Sequence, residues 1–159
     1  MTDRPRQPLD VEGCLACDLA AGRRELPGGV IAETDHWVVE HTVGPLGVGT
    51  LIVKPRRHVV HVSELDEAEA AELGPLLRRA AQALEQLVEP DQVYVCLWSH
   101  MGGRPVHIHF VVQPVTRAVM DETGLFGPAL QLSQFEAGTA PPAVDVAAFA
   151  ERARQLLQG

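Results

Sequence analysis

The stretch Gly102-Gly103-Arg104-Pro105-Val106-His107-Ile108-His109-Phe110-Val111-Val112-Gln113-Pro114 alternates imidazole with hydrocarbon and then runs into β-branched residues. Val106 to Val112 reads as a strand, and on a strand the side chains at i and i+2 share a face. His107 and His109 therefore stand side by side, with Ile108 and Phe110 turned the other way. Two adjacent imidazoles can bind a metal, serve as acid and base, or supply a nucleophile. The glycine pair ahead of them lets backbone N–H groups approach an anion. Upstream, Val93 to Trp98 (VYVCLW) reads as a second strand, with SHMGGRP as the loop of a hairpin.

Working outward, Thr50 to Lys54 (TLIVK) is apolar on both faces and fits a central strand closed by Pro55. Val30 to Glu33 and His36 to Thr42 read as two more strands. Between Thr42 and Thr50, the segment GPLGVG carries three glycines and reads as a loop. The clearest helix starts near Ser63 or Asp66, with Leu73, Leu76, Leu77, Ala80, Leu84 and Leu87 on one apolar face and a kink or break expected at Pro75. CLACDLAAG has room for one or two helical turns. After Pro114 a mixed segment leads to a last helix, about residues 145–158, whose apolar face includes Val146, Phe149, Ala153, Leu156 and Leu157. These elements predict an α+β fold: an antiparallel sheet of about five strands with one long helix and a C-terminal helix. Residues 1–12 are expected to form a flexible tail and 13–159 a single domain.

Twelve Arg and a single Lys against 21 acidic residues give a net charge of -8, which argues against a nucleic-acid or anionic-membrane binder. No run approaches the ~20 apolar residues of a membrane helix, and the first residues lack the apolar stretch of a signal peptide, so a soluble cytoplasmic protein is expected. The three cysteines do not suggest a disulfide framework. Metal binding or redox chemistry remains open for the pair Cys14 and Cys17, while Cys96, in mid-strand, reads as core.

GGRPVHIHFVVQP resembles the signature of the histidine triad (HIT) family, a Gly-containing loop leading into alternating histidines and apolar residues. TLIVKPRRHVVHVSEL resembles that family's strand-Pro-basic-x-His segment, and CLACDLAAG resembles the zinc-binding start of its Cys-x-x-Cys branch. The resemblance implies a HIT-like fold and places His109 as the nucleophile that attacks the α-phosphorus of a nucleotide derivative. It implies a structural zinc held by Cys14, Cys17, His58 and His107, tying the segment of residues 13–22 to two strands. A homodimer and a small phosphate-containing ligand, in the first place a nucleotide, follow from the same resemblance.

Departures from the family pattern bear on function. Val111 stands where the third histidine of the triad belongs, and Thr42 where an acidic residue holds the ribose, with Glu40 the nearest carboxylate on the same strand face. Gly103 and Ser99 replace a Gln and an Asn. Thr42, Ser99, Gly102, Gly103 and Arg104 are the expected substrate-binding positions, Arg104 as a guanidinium suited to phosphate oxygens. Arg56, Arg57 and the loop residue His100 are expected in solvent, and His36, His41 and His61 carry no assigned role. The expected function is a HIT-type nucleotide hydrolase or nucleotidyltransferase. Two readings stand beside it: a nucleotide-binding or scaffold protein with little turnover, and a pocket rebuilt for a non-nucleotide substrate.

Overall fold

The structure, a computed structural model, describes residues 10–159. Along the chain lie α1 (Leu15–Ala20), β1 (Val30–Glu33), β2 (Trp37–His41), β3 (Leu51–Pro55), a short 3-10 turn (Val62–Glu64), α2 (Glu67–Val88), β4 (Gln92–Met101), β5 (Arg104–Val115), α3 (Arg117–Thr123), α4 (Gly127–Ala137) and α5 (Ala143–Leu157). The strands form one antiparallel five-stranded sheet in the order β1-β2-β3-β5-β4. The architecture is the expected α+β fold. Of the expected tail, residues 1–9 lie outside the described residues, and Asp10 accepts hydrogen bonds from Arg23.

Strand alternation sorts the chain's apolar and polar residues onto the sheet's two sides. Val39, Val53 and Phe110 are paired neighbours across β2, β3 and β5, and with Trp37, Leu51 and Val112 they face α2 and α5 to form the core. Glu40, Ile52 and Val111 are the next paired set and face the other way, as do Lys54 and His109.

Asp66 starts α2 through a reciprocal cap: its Oδ1 accepts from the Glu69 N–H at 2.8 Å, and its own N–H donates to Glu69 Oε2 at 2.9 Å. The break expected at Pro75 does not occur, and α2 runs uninterrupted through it. The buried stripe of Leu76, Ala80, Ala83 and Leu84 holds the helix on the sheet across the lost backbone bond.

Other expectations are corrected by the sheet. The seven residues expected as a loop, 99–105, are mostly strand. Only Gly102 and Gly103 turn, with φ of +57° and +74°, the two positive values that a two-residue hairpin turn needs. β4 is an edge strand, so Cys96 is only half-buried, and Val95 and Leu97 are exposed. Leu156 lies on the exposed side of α5 rather than its buried face. The mixed segment after Pro114 forms α3 and α4. Among the described residues, no helix is long and apolar enough to cross a membrane.

Candidate functional site

Three separate stretches converge beside the end of β3. Cys14 caps α1 and Cys17 lies in its first turn, His58 follows the Pro55 end of β3, and His107 comes from β5. Their ligand atoms all lie within 4.8 Å of one another. Cys17 Sγ is 3.4 Å from His58 Nδ1 and 3.5 Å from His107 Nδ1. A tetrahedral zinc with usual bond lengths sets sulfur and nitrogen about 3.5 Å apart, so the spacing suits that ion.

The protonation of the two histidines suits a cation equally well. His107 Nε2–H donates to the Pro55 carbonyl at 2.9 Å, which fixes the tautomer and leaves the Nδ1 lone pair towards Cys17. Burial pushes His107 down to about 4, and it lowers His58 as well, so both rings are neutral at pH 7. Burial pushes the Cys17 thiol up to about 11 in the metal-free chain. A divalent cation reverses that preference, because a coordinating thiol ionises. By spacing and by chemistry, the four residues could hold a metal.

His109 lies two residues further along β5. Its Nδ1–H donates to the His107 carbonyl at 3.1 Å, so the lone pair is on Nε2. The ring is half-buried, and its pKa is lowered mainly by burial and further by the Lys54 cation, against the backbone hydrogen bond. A neutral imidazole with an oriented, unprotonated nitrogen is the form that can attack an electrophile.

The surroundings of His109 include groups that the sequence did not single out. Trp98 is its cross-strand partner on β4, and the Trp98 indole N–H donates to Gln131 of α4 at 3.1 Å. The Gln131 amide donates to Gln113 Oε1 at 3.0 Å, and Gln113 in turn donates to Gln134. Gln131 thereby spans the Cys96–Val111 pair that lies between Trp98 and Gln113, and Val111 is only 1% exposed. Phe135 of α4 packs edge-on against Trp98, their ring centroids 5.0 Å apart. On the β3 side, Lys54 donates to Glu40 Oε1 at 2.7 Å and to the Ala16 carbonyl at 3.0 Å.

The expected substrate-binding residues are not gathered at one point. Thr42 is buried just past the end of β2, where its Oγ1 accepts from the Gly44 N–H at 3.0 Å. Glu40 is committed to Lys54. Ser99 is half-buried at the β4 irregularity, whereas Gly102, Gly103 and Arg104 are exposed at the hairpin tip. Arg104 is five positions from His109, roughly 16 Å along a strand. Arg57, expected in solvent, is instead clamped by Glu69 at 2.9 and 2.7 Å, while the exposed Arg56 pairs with Glu33. His36 pairs with Glu72, and His61 takes part in capping the 3-10 turn.

A family model for the HIT domain matches residues 23–115. An uncharacterised HIT-like protein of Mycoplasma genitalium is 26% identical over 103 residues, 64% of this chain and 72% of that protein. Among solved structures, a HIT-like protein involved in cell-cycle regulation from Bartonella henselae, with an unknown ligand, superposes with a TM-score of 0.70 at 15% identity, covering 92% of this chain and 98% of that one. A zinc-bound histidine triad family protein from Mycobacterium smegmatis superposes with a TM-score of 0.65 at 17% identity, covering 92% of this chain and 94% of that one.

Proposed function

This chain belongs to the histidine triad (HIT) family, and we propose that it is a nucleotide hydrolase or nucleotidyltransferase that works through a covalent nucleotidyl-histidine at His109. The observation that carries the reading is the hydrogen bond from His109 Nδ1–H to the His107 carbonyl, which leaves Nε2 as the free nucleophilic nitrogen. In the first step the Nε2 lone pair forms a bond to the α-phosphorus of a nucleoside phosphate derivative, and the bond from phosphorus to the leaving group breaks. The substrate class is a dinucleoside polyphosphate or a nucleoside phosphoramidate. The imidazolium charge that develops is shared with the His107 carbonyl through Nδ1–H. Water or another acceptor then takes the nucleotidyl group, and His109 returns to its neutral form.

Cys14, Cys17, His58 and His107 would hold a structural zinc, which when bound cross-links α1 to the sheet. The free thiols fit a reducing, cytoplasmic setting, and the exposed Val95 and Leu97 of edge strand β4 support self-association as a homodimer.

Intact-mass spectrometry after mixing with a panel of activated nucleotides tests the mechanism directly. An adduct of one nucleotidyl group in the wild type, and none in His109→Ala, is the expected result. Equal background hydrolysis by the two proteins, with no adduct, would overturn it. A second reading, nucleotide binding without efficient turnover, draws support from Val111 and Thr42. Val111 carries no polar group, and Thr42, buried and uncharged, already accepts the Gly44 N–H on its hydroxyl. Calorimetric binding without product or adduct would select that reading.

A further inference from the structure

Lys54 is the chain's single lysine, and it is 1% exposed in a strand that is otherwise apolar. A buried ammonium is unfavourable unless it is paired and hydrogen-bonded. Its two bonds divide between Glu40 Oε1 on β2 and the backbone carbonyl of Ala16. Glu40 Oε2 is buried and meets no hydrogen-bond donor of the protein among the described residues. The pair is therefore not a saturated network, and hydrocarbon side chains of similar size would be as stable in its place.

What Lys54 holds gives the pair a purpose. Ala16 lies between Cys14 and Cys17, in a helix of six residues whose N-cap makes no side-chain hydrogen bond. Among the described residues, the loop and cap backbone hydrogen bonds of this segment connect residues 11–24 to one another. Lys54 supplies a tie from that segment's backbone to the sheet. The next residue, Pro55, accepts the Nε2–H of His107, so adjacent residues of β3 hold both the cysteine-bearing segment and a histidine of the cluster.

We infer that Lys54 is a positioning residue for the Cys14–Cys17–His58–His107 metal cluster, setting the Cys-x-x-Cys segment against the sheet through the Ala16 carbonyl, with Glu40 as its counter-charge. The inference rests on the reading of that cluster as a zinc site. Groups that support a metal site from behind its ligands usually contribute 10- to 100-fold to affinity, and roughly that loss is expected here.

The test uses the full chain and the double variant Glu40→Leu/Lys54→Met, which removes both charges together so that neither is left unpaired, and takes from the Ala16 carbonyl its Lys54 donor. Zinc affinity is measured by chelator competition, thermal stability is measured on the metal-free proteins, and the cobalt-loaded forms are compared by absorption. The expected result is a folded variant with a melting temperature at or above that of the wild type, roughly 10- to 100-fold weaker zinc binding, and altered thiolate-to-cobalt bands. Wild-type zinc affinity in the folded double variant would overturn the inference while leaving the zinc site standing. A double variant that does not fold would overturn it too, because Lys54 would then be structural rather than positioning. A wild type that binds neither zinc nor cobalt sinks the zinc reading itself and the inference with it.

Discussion

On one side of the sheet Trp37, Val39, Leu51, Val53 and Val112 meet α2 and α5 through hydrocarbon, whereas on the other Glu40, Lys54, His107 and Gln113 are no more than 3% exposed and are polar or charged. Equal burial thus serves two different physical ends. Apolar packing is non-directional and tolerates exchange of side chains of similar volume. A buried polar group depends on particular partners, and removing one leaves the other unsatisfied. The apolar side therefore governs whether the chain folds, and the polar side governs what the fold holds.

The largest effect expected from breaking this division is on the apolar side. Trp37 is fully buried, and its indole N–H donates to the Glu69 carbonyl at 2.8 Å. Trp37→Ala should cost roughly 3 to 5 kcal/mol in denaturant unfolding, with or without metal. If it cost less than loss of any one polar partner across the sheet, the division would fail. Next comes metal removal. Adding a chelator to zinc-loaded protein should lower the melting temperature, the bound state being favoured by about 2.7 kcal/mol when free zinc stands at a hundred times Kd. Cys17→Ser should abolish that difference.

A smaller effect is expected where α4 is fastened to the polar side. Gln131→Leu deprives the Trp98 N–H and the Gln113 carbonyl oxygen of their partner, so a loss of roughly 1 to 3 kcal/mol is expected by denaturation. This helix also marks the limit of what the sequence disclosed. β3, β5 and α2 were legible because their apolar residues recur at strand or helix spacing, and Cys14, Cys17, His58 and His107 were legible through the family's pattern of motif and order. α4 has no such signature, because it attaches through the single buried leucine Leu130 together with Gln131, Gln134 and Phe135 rather than through one apolar stripe. The buried Glu40–Lys54 pair was hidden for a related reason: a charged residue in a strand reads as an exposed one until its partner on another strand is known. The Gly102-Gly103 turn was legible in principle, since adjacent glycines are a hairpin signal, but the flanking polar residues disguised the strands on either side.

Acid offers a probe that reaches the apolar side through its one buried histidine. His41 donates Nδ1–H to the Thr42 carbonyl at 2.8 Å, accepts the Gly49 N–H on Nε2 at 2.8 Å, and lies edge-on to Phe149. Burial lowers its pKa, against the Thr42 hydrogen bond, from an ordinary value of 6.5. A group whose folded value is depressed contributes stability that is complete above the unfolded value and lost as pH falls through the folded one. The metal-free protein should therefore lose stability below about pH 6.5. His58 and His107 act in the same direction from the polar side, so His41→Gln should remove part of the acid loss and leave the rest. An unchanged acid limb in that variant would assign the whole effect to the polar side.

The smallest change tests whether the two sides are independent. Pro75 lies inside α2, exposed on the surface turned away from the sheet, and it withholds one backbone N–H from the helix. Gly74 precedes it, and the absence of a Cβ there relieves the crowding that a proline imposes on the residue before it. Pro75→Ala restores the backbone bond, while the more flexible unfolded chain offsets part of the benefit. A net gain of about 1 kcal/mol in denaturant unfolding is expected. Because α2 lays its apolar stripe on the apolar side, and its Glu69 tie to Arg57 lies more than a turn ahead of Pro75, zinc affinity and nucleotidyl-adduct formation should stay at their wild-type values. A change in either would mean that strain in α2 reaches the Cys14–Cys17–His58–His107 cluster, and the two faces would then have to be treated as one cooperative unit.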